Sequence, residues 1–131
     1  MDSLRASDAE AAKHAVAPRV TLHHIEQSIA GRFDMTGREA IYKAEMVGGG
    51  ALRIGTDPER NTLDVLSICI LVMQNGFTVI GKSAPASLEN FNAELGRKLA
   101  YEDCIRQIWP LMGYALRDRL ADPQGLLSPR S

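Results

Sequence analysis

Residues 66–81 read Leu66-Ser67-Ile68-Cys69-Ile70-Leu71-Val72-Met73-Gln74-Asn75-Gly76-Phe77-Thr78-Val79-Ile80-Gly81, and their reading decides the fold. Two apolar runs flank Asn75-Gly76, the pair preferred in a two-residue hairpin turn because both central positions take positive φ. Such a turn pairs Gln74 with Phe77, Val72 with Val79 and Ile70 with Gly81 on one face. The opposite face carries Met73 with Thr78, Leu71 with Ile80 and Cys69 with Lys82. Both faces are largely apolar, so helices or a second subunit must cover both. No residue from Val65 to Gly81 is charged. A membrane span is nevertheless excluded, because Gln74-Asn75-Gly76 would break a helix in mid-bilayer.

Downstream, a turn containing Pro85 opens a long helical segment. Phe91, Leu95 and Leu99 recur every four residues, and Ile105, Ile108, Trp109 and Met112 continue an apolar stripe. Gly96 and Ala100 sit one turn apart and let the helix backbone approach the sheet closely. Glu94–Lys98 and Glu102–Arg106 have the spacing of exposed i, i+4 pairs. Pro110 lacks the amide that would bond the carbonyl of Arg106, so the segment is expected to kink or restart there, with a second piece over Leu111–Leu120.

Upstream the pattern is weaker. Residues 1–17 are alanine-rich and read as a tail or frayed helix, although Ser7 and Glu10 have the spacing of a capping box. Thr21 can cap a short helix bearing Leu22, Ile25 and Ile29, with Gly31 at its end. The stretch from Arg32 to Asp64 is the least readable. Residues 38–47 fit strand or helix equally, Gly48-Gly49-Gly50 is a break, and Gly55-Thr56-Asp57-Pro58 is turn chemistry. The expected architecture is α+β: a small antiparallel sheet built on the Asn-Gly hairpin, packed against a kinked C-terminal helical segment and a short N-terminal helix. One domain spans 18–121, and 122–131 form a disordered tail.

Chemistry-bearing motifs are sparse. Gly76-Phe77-Thr78-Val79-Ile80-Gly81-Lys82-Ser83 satisfies the phosphate-loop pattern G-x-x-x-x-G-K-[ST] letter for letter. That loop must curl its amides around phosphate between a strand and a helix that starts at the lysine. Here the intervening residues alternate as a strand and Ala84-Pro85 follows, so the match carries no phosphate site. His23 and His24 are adjacent and point apart on a helix, and neither they nor His14 has metal-ligand spacing. Cys69 and Cys104 fall on apolar elements, where free cysteine behaves as a small hydrophobe. Lys82, cross-strand from Cys69, is the one cation placed to activate a thiolate. Trp109 reads as a core anchor. Ser67, Ser83 and Ser87 lack a nucleophile-elbow context. No carboxylate pair is placed for acid–base work.

The chain has 131 residues, enough for one domain with a real core. Its 15 Lys+Arg against 16 Asp+Glu leave a formal charge of −1, which excludes strong nucleic-acid binding by bulk electrostatics. Two cysteines are too few for a disulfide framework or a four-cysteine zinc site. The first residues lack an apolar signal core, so secretion is not expected.

Asn75-Gly76-Phe77-Thr78-Val79, then Gly81-x-Ser83-Ala84, then residues 89–100 (ENFNAELGRKLA), then Ile108-Trp109-Pro110-Leu111-Met112-Gly113-Tyr114-x-Leu116 stand in an order that resembles a family of small bacteriophage and prophage proteins. The family is named after gene product 49 of one tailed phage and gene 66 of another. The resemblance covers Leu66–Leu120 well and the Thr21–Gly31 helix loosely. This chain departs from the usual pattern at Lys82, where the family carries an acidic residue, and at Asn92, where it carries aspartate. The lysine of the phosphate-loop match is therefore no family feature.

The resemblance implies a phage origin and residence in the cytoplasm of a bacterial host, and it brings no activity, catalytic residue, metal or cofactor. From that origin the expected function is a non-enzymatic binding protein that modulates a host or host-defence component. The alternatives are an oligomeric sponge for a nucleotide signal, with Lys82, Arg97 and Lys98 as its phosphate contacts, and a nucleic-acid-associated accessory factor. Because two apolar hairpin faces need cover, a homodimer or higher even assembly is also expected.

Overall fold

The computed structural model describes residues 2–47 and 57–126. Its elements run α1 (Asp2–His14), α2 (Leu22–Gln27), β1 (Ile29–Thr36), α3 (Gly37–Val47), α4 (Asp57–Asp64), β2 (Ser67–Met73), β3 (Thr78–Ser83), a single 3₁₀ turn (Leu88–Asn90) and α5 (Ala93–Ala121). The fold is α+β. The three strands form one antiparallel sheet in the order β1-β2-β3, and α5 packs along one face of β2 and β3. Expectations that fall on residues 48–56 and 127–131, including the triple glycine and the end of the tail, lie outside the described residues.

The hairpin forms, but with a different turn and register. Gly76 has φ +87°, and no other residue in the turn has positive φ. The amide of Gly76 donates to Met73 O (2.9 Å) and the amide of Met73 donates to Phe77 O (2.8 Å). Three residues, Gln74-Asn75-Gly76, therefore make the loop, with glycine in the left-handed position of a bulge. Asn75 Oδ1 accepts from the Phe77 amide two residues on at 2.9 Å, a side-chain bond that braces the turn. The ladder shifts by one residue from the expected pairing: Leu71 faces Val79, Cys69 faces Gly81, Ile70 faces Ile80 and Ile68 faces Lys82. A one-residue slip exchanges which residues of the two strands share a face.

Facing α5, the inner surface of the sheet carries buried Cys69, Leu71, Met73 and Val79. α5 answers with Ala100, Cys104, Ile105 and Ile108, and α2 adds Leu22 and Ile25. The close approach expected of Gly96 is present: a Cβ there would collide with Ser67 Oγ. Gly81 is closer still, since a Cβ would strike Ala100 O and come within 2.8 Å of Cys104 N. The row Gly96, Ala100, Cys104 is thus the line along which helix and sheet touch. This corrects the expected stripe. Leu95 and Leu99 lie on its flank, 49% and 39% exposed, and Phe91 precedes the helix. Glu102, expected on the exposed face, is buried.

α5 is a single 29-residue helix that passes through Pro110, so the expected restart does not occur. Arg106 and Pro110 are both exposed, so the carbonyl that loses its intrahelical partner is on the solvent side. Asn92 caps the helix by accepting from the Leu95 amide at 3.0 Å, a role aspartate would serve equally.

Upstream, Thr21 caps α2 as expected, accepting from the His24 amide at 3.0 Å. The helix is shorter than the sequence suggests: Ser28 ends it, and Ile29 and Gly31 belong to β1. β1 leads into α3 through a capping box in which Thr36 Oγ1 accepts from the Glu39 amide and Glu39 Oε1 accepts from the Thr36 amide, both at 3.1 Å. Residues 38–47 are therefore helix. α1 starts at Asp2, upstream of the expected cap Ser7. Its Asp8 pairs with Arg19 at 2.7 Å and its Leu4 packs against the core.

Candidate functional site

Two surfaces stand out once the register is known. The first is the outer face of the sheet. Opposite residues across the ladder give three rows there: Met35–Ile68–Lys82, Phe33–Ile70–Ile80 and Gly31–Val72–Thr78. Six of these nine positions are large and apolar. Phe33 is 55% exposed and Ile80 62%, even though the Phe33 ring leans over Gly31, where a Cβ would meet it at 3.2 Å. On the inner face of β1, by contrast, Arg32 pairs with Asp34 at 3.0 Å and lies 4.2 Å above the ring of Tyr101. Charges turned inward on an edge strand blunt its edge, so the open apolar surface is the face itself rather than the strand edge.

The second surface is a cavity of about 410 Å³ at the closed end of the hairpin, between α2, the turn and the part of α5 beyond Pro110. Met73, Ile108 and Met112 contribute its apolar lining, and His24 and Arg119 stand among its polar residues. The Gln74 amide donates to Ser28 O at 2.8 Å and thereby ties the hairpin turn to the end of α2.

Lys82, Arg97 and Lys98, the contacts expected for a phosphate-bearing ligand, lie elsewhere. All three are exposed and none lines this cavity. Lys82 occupies a corner of the outer sheet face, its amide donating to Asp103 Oδ2 at 3.0 Å. Lys98 Nζ lies 3.8 Å from Asp2 on α1. The phosphate-loop letters fall on the hairpin turn and on β3, which is extended with alternating burial, so their amides do not curl around a common point as a phosphate cradle requires.

Nor does Lys82 reach a thiol, because Cys69 faces Gly81 and Lys82 projects from the opposite face. Cys69 and Cys104 are buried free thiols, and Cys104 Sγ donates to Cys69 O at 3.3 Å. Hydrogen bonding with Cys104, then burial, push the Cys69 thiol above its ordinary value, so it stays protonated. Burial also pushes the Tyr101 phenol up. These perturbed groups lie beneath α5, away from solvent. Among the described residues no cluster of three metal-ligating side chains occurs, and no helix is long and apolar enough to cross a membrane.

Fold and surfaces together define a small α+β domain with one covered and one open sheet face, and with a cavity at the hairpin end. The chain belongs to the Phage protein (N4 Gp49/phage Sf6 gene 66) family, whose sequence profile matches residues 20–120. That span begins just before α2 and ends one residue short of the end of α5. No curated protein and no solved structure matches the chain.

Proposed function

We propose that the chain is a phage-encoded, non-enzymatic binding protein that modulates a host or host-defence component in the cytoplasm of the infected cell, and that it acts as a homodimer or higher even assembly. The observation that carries this reading is the open row Phe33–Ile70–Ile80 at the centre of the outer sheet face. Exposed contiguous apolar surface of this kind marks an interaction site. Three strands and about six residues per strand make a patch of roughly 300 Å². A stable interface needs about 800 Å² per partner. The patch therefore supplies an apolar centre, and a polar rim that includes Thr78 and Lys82 must supply the remainder. A two-fold contact of like patches meets that need with no further component, and the host target is held by the assembly so formed rather than by the single chain.

The test applies immobilised chain to host lysate and analyses bound proteins and free metabolites by mass spectrometry. The reading expects a host component held stoichiometrically by the native chain, weakened by Ile80→Glu, with no metabolite consumed. Catalytic consumption of a metabolite, or retention indifferent to Ile80→Glu, contradicts it.

The cavity favours a second reading, capture of a small ligand, because its volume falls in the range of ligand sites and its lining mixes an apolar majority with a few polar groups.

A further inference from the structure

We infer that the cavity at the hairpin end is a binding site for a small anionic amphiphile, a compact aromatic body carrying one carboxylate. This deepens the small-ligand reading by naming the ligand class. The floor is apolar, and Phe77 and Leu111, each about half exposed, leave apolar surface open beside it. A volume of about 410 Å³ accommodates a body of roughly two fused rings.

The charges are one-sided. Arg119 and His24 line the cavity, and among the described residues no aspartate or glutamate does. Neither side chain makes a hydrogen bond or ion pair with another described residue. Of the other polar lining residues, Asn75 and Ser28 have engaged side-chain oxygens, and Gln74 offers a neutral amide. Asn75 Oδ1 accepts from the Phe77 amide, and Ser28 Oγ donates to His24 O at 2.8 Å. At the end of α5, Asp122 Oδ1 accepts from the Leu126 amide at 2.8 Å, which occupies that carboxylate at the cap. Recognition of a negative charge therefore falls to the basic groups of the lining, a guanidinium and an imidazole. A guanidinium presents parallel N–H donors that match a carboxylate in a two-bond geometry. A cationic ligand would meet repulsion there, and a neutral one would leave the guanidinium without its pair.

The experiment is an amide NMR titration of the full chain with naphthalene-2-carboxylate and with naphthalene-2-methanol, its neutral counterpart. The native chain and the Arg119→Gln variant are compared. The carboxylate is expected to perturb the amides of Gln74, Asn75 and residues 111–119, and Arg119→Gln to weaken its binding roughly tenfold. Binding of the alcohol is expected to be weaker and indifferent to the substitution. Arg119 is exposed, so the variant keeps its fold, which the unchanged remainder of its spectrum verifies. Equal binding of acid and alcohol overturns the anionic class while leaving small-ligand capture standing. Absence of binding by both overturns both. Perturbation of the same amides by protein concentration alone shows that a second copy fills the cavity, and overturns the proposal too.

Discussion

Adding one methyl group at Gly81 interrogates the closest contact in the fold. The new Cβ of Gly81→Ala meets Ala100 O, Cys104 Sγ at 2.7 Å and Cys104 N at 2.8 Å. Rotating the Cys104 side chain relieves only one of these. The other two are backbone of α5, so the helix must retreat from β3 by about an ångström, a distance set by the Ala100 carbonyl, before ordinary contact at 3.4 Å is restored. Overpacking costs about 1–3 kcal/mol, and a collision that no side-chain rotation removes belongs at the upper end. At about 4 °C per kcal/mol for a domain of this size, Tm falls by roughly 10 °C. Thermal unfolding followed by far-ultraviolet circular dichroism measures it, with a urea titration to verify an unchanged m value. Gly113→Ala supplies the opposite sign. It lies in the same helix, a Cβ there meets nothing within 4 Å, and the gain in helix propensity is about 1 kcal/mol. A Gly81→Ala protein melting within about 2 °C of the native chain would refute the close approach of α5 to β3.

Gly96→Leu should also lower Tm by many degrees, since even a Cβ at that position collides with Ser67 Oγ; a neutral result would place Gly96 away from the sheet. Alkaline pH should destabilise the fold. The Cys69 thiol and Tyr101 phenol keep their protons in the folded protein at a pH where the unfolded chain has released them. Stability is therefore complete below about pH 8 and falls as pH rises through the unfolded-state ionisations, which urea midpoints from pH 7 upward will show; a flat profile contradicts the burial of these groups. Lys82→Ala should leave ATP binding unmeasurable before and after with Tm little changed, and millimolar or tighter binding abolished by the change would contradict the strand assignment of the phosphate-loop letters.

The hairpin was legible because Asn75-Gly76 sits between two strand-like runs. Its register was not, because the turn places only Gly76 at positive φ and so takes three residues rather than two. What fixes the register is tertiary: only with Cys69 opposite Gly81 does the side-chain-free position of β3 fall under Ala100 and Cys104. The same contact explains the misread stripe of α5. Leucines at 95 and 99 outscore glycine and alanine in hydrophobicity, yet the small residues at 96 and 100 are the ones that reach the sheet. β1 was hidden because its sequence, Ile29-Ala30-Gly31-Arg32-Phe33-Asp34-Met35-Thr36, mixes glycine and paired charges into an edge strand. α3 did carry a signal in Thr36-x-x-Glu39, the capping box that opens it. The cavity had none, since His24 and Arg119 come from opposite ends of the domain in sequence. The open apolar face was half legible. Two apolar hairpin faces implied an uncovered one, and the structure identifies it as the face bearing Ile80 and adds Phe33 from β1.

That face is the centre of the account, and its most direct test is the molar mass in solution. Multi-angle light scattering of the native chain at high micromolar concentration should give a dimer or a higher even assembly. Ile80→Glu, which puts a charge in the middle row of the face on its edge strand β3 without touching the core beneath α5, should give a monomer with native circular dichroism. A native chain that remains monomeric at that concentration, or an assembly unmoved by Ile80→Glu, would contradict the role assigned to the outer sheet face.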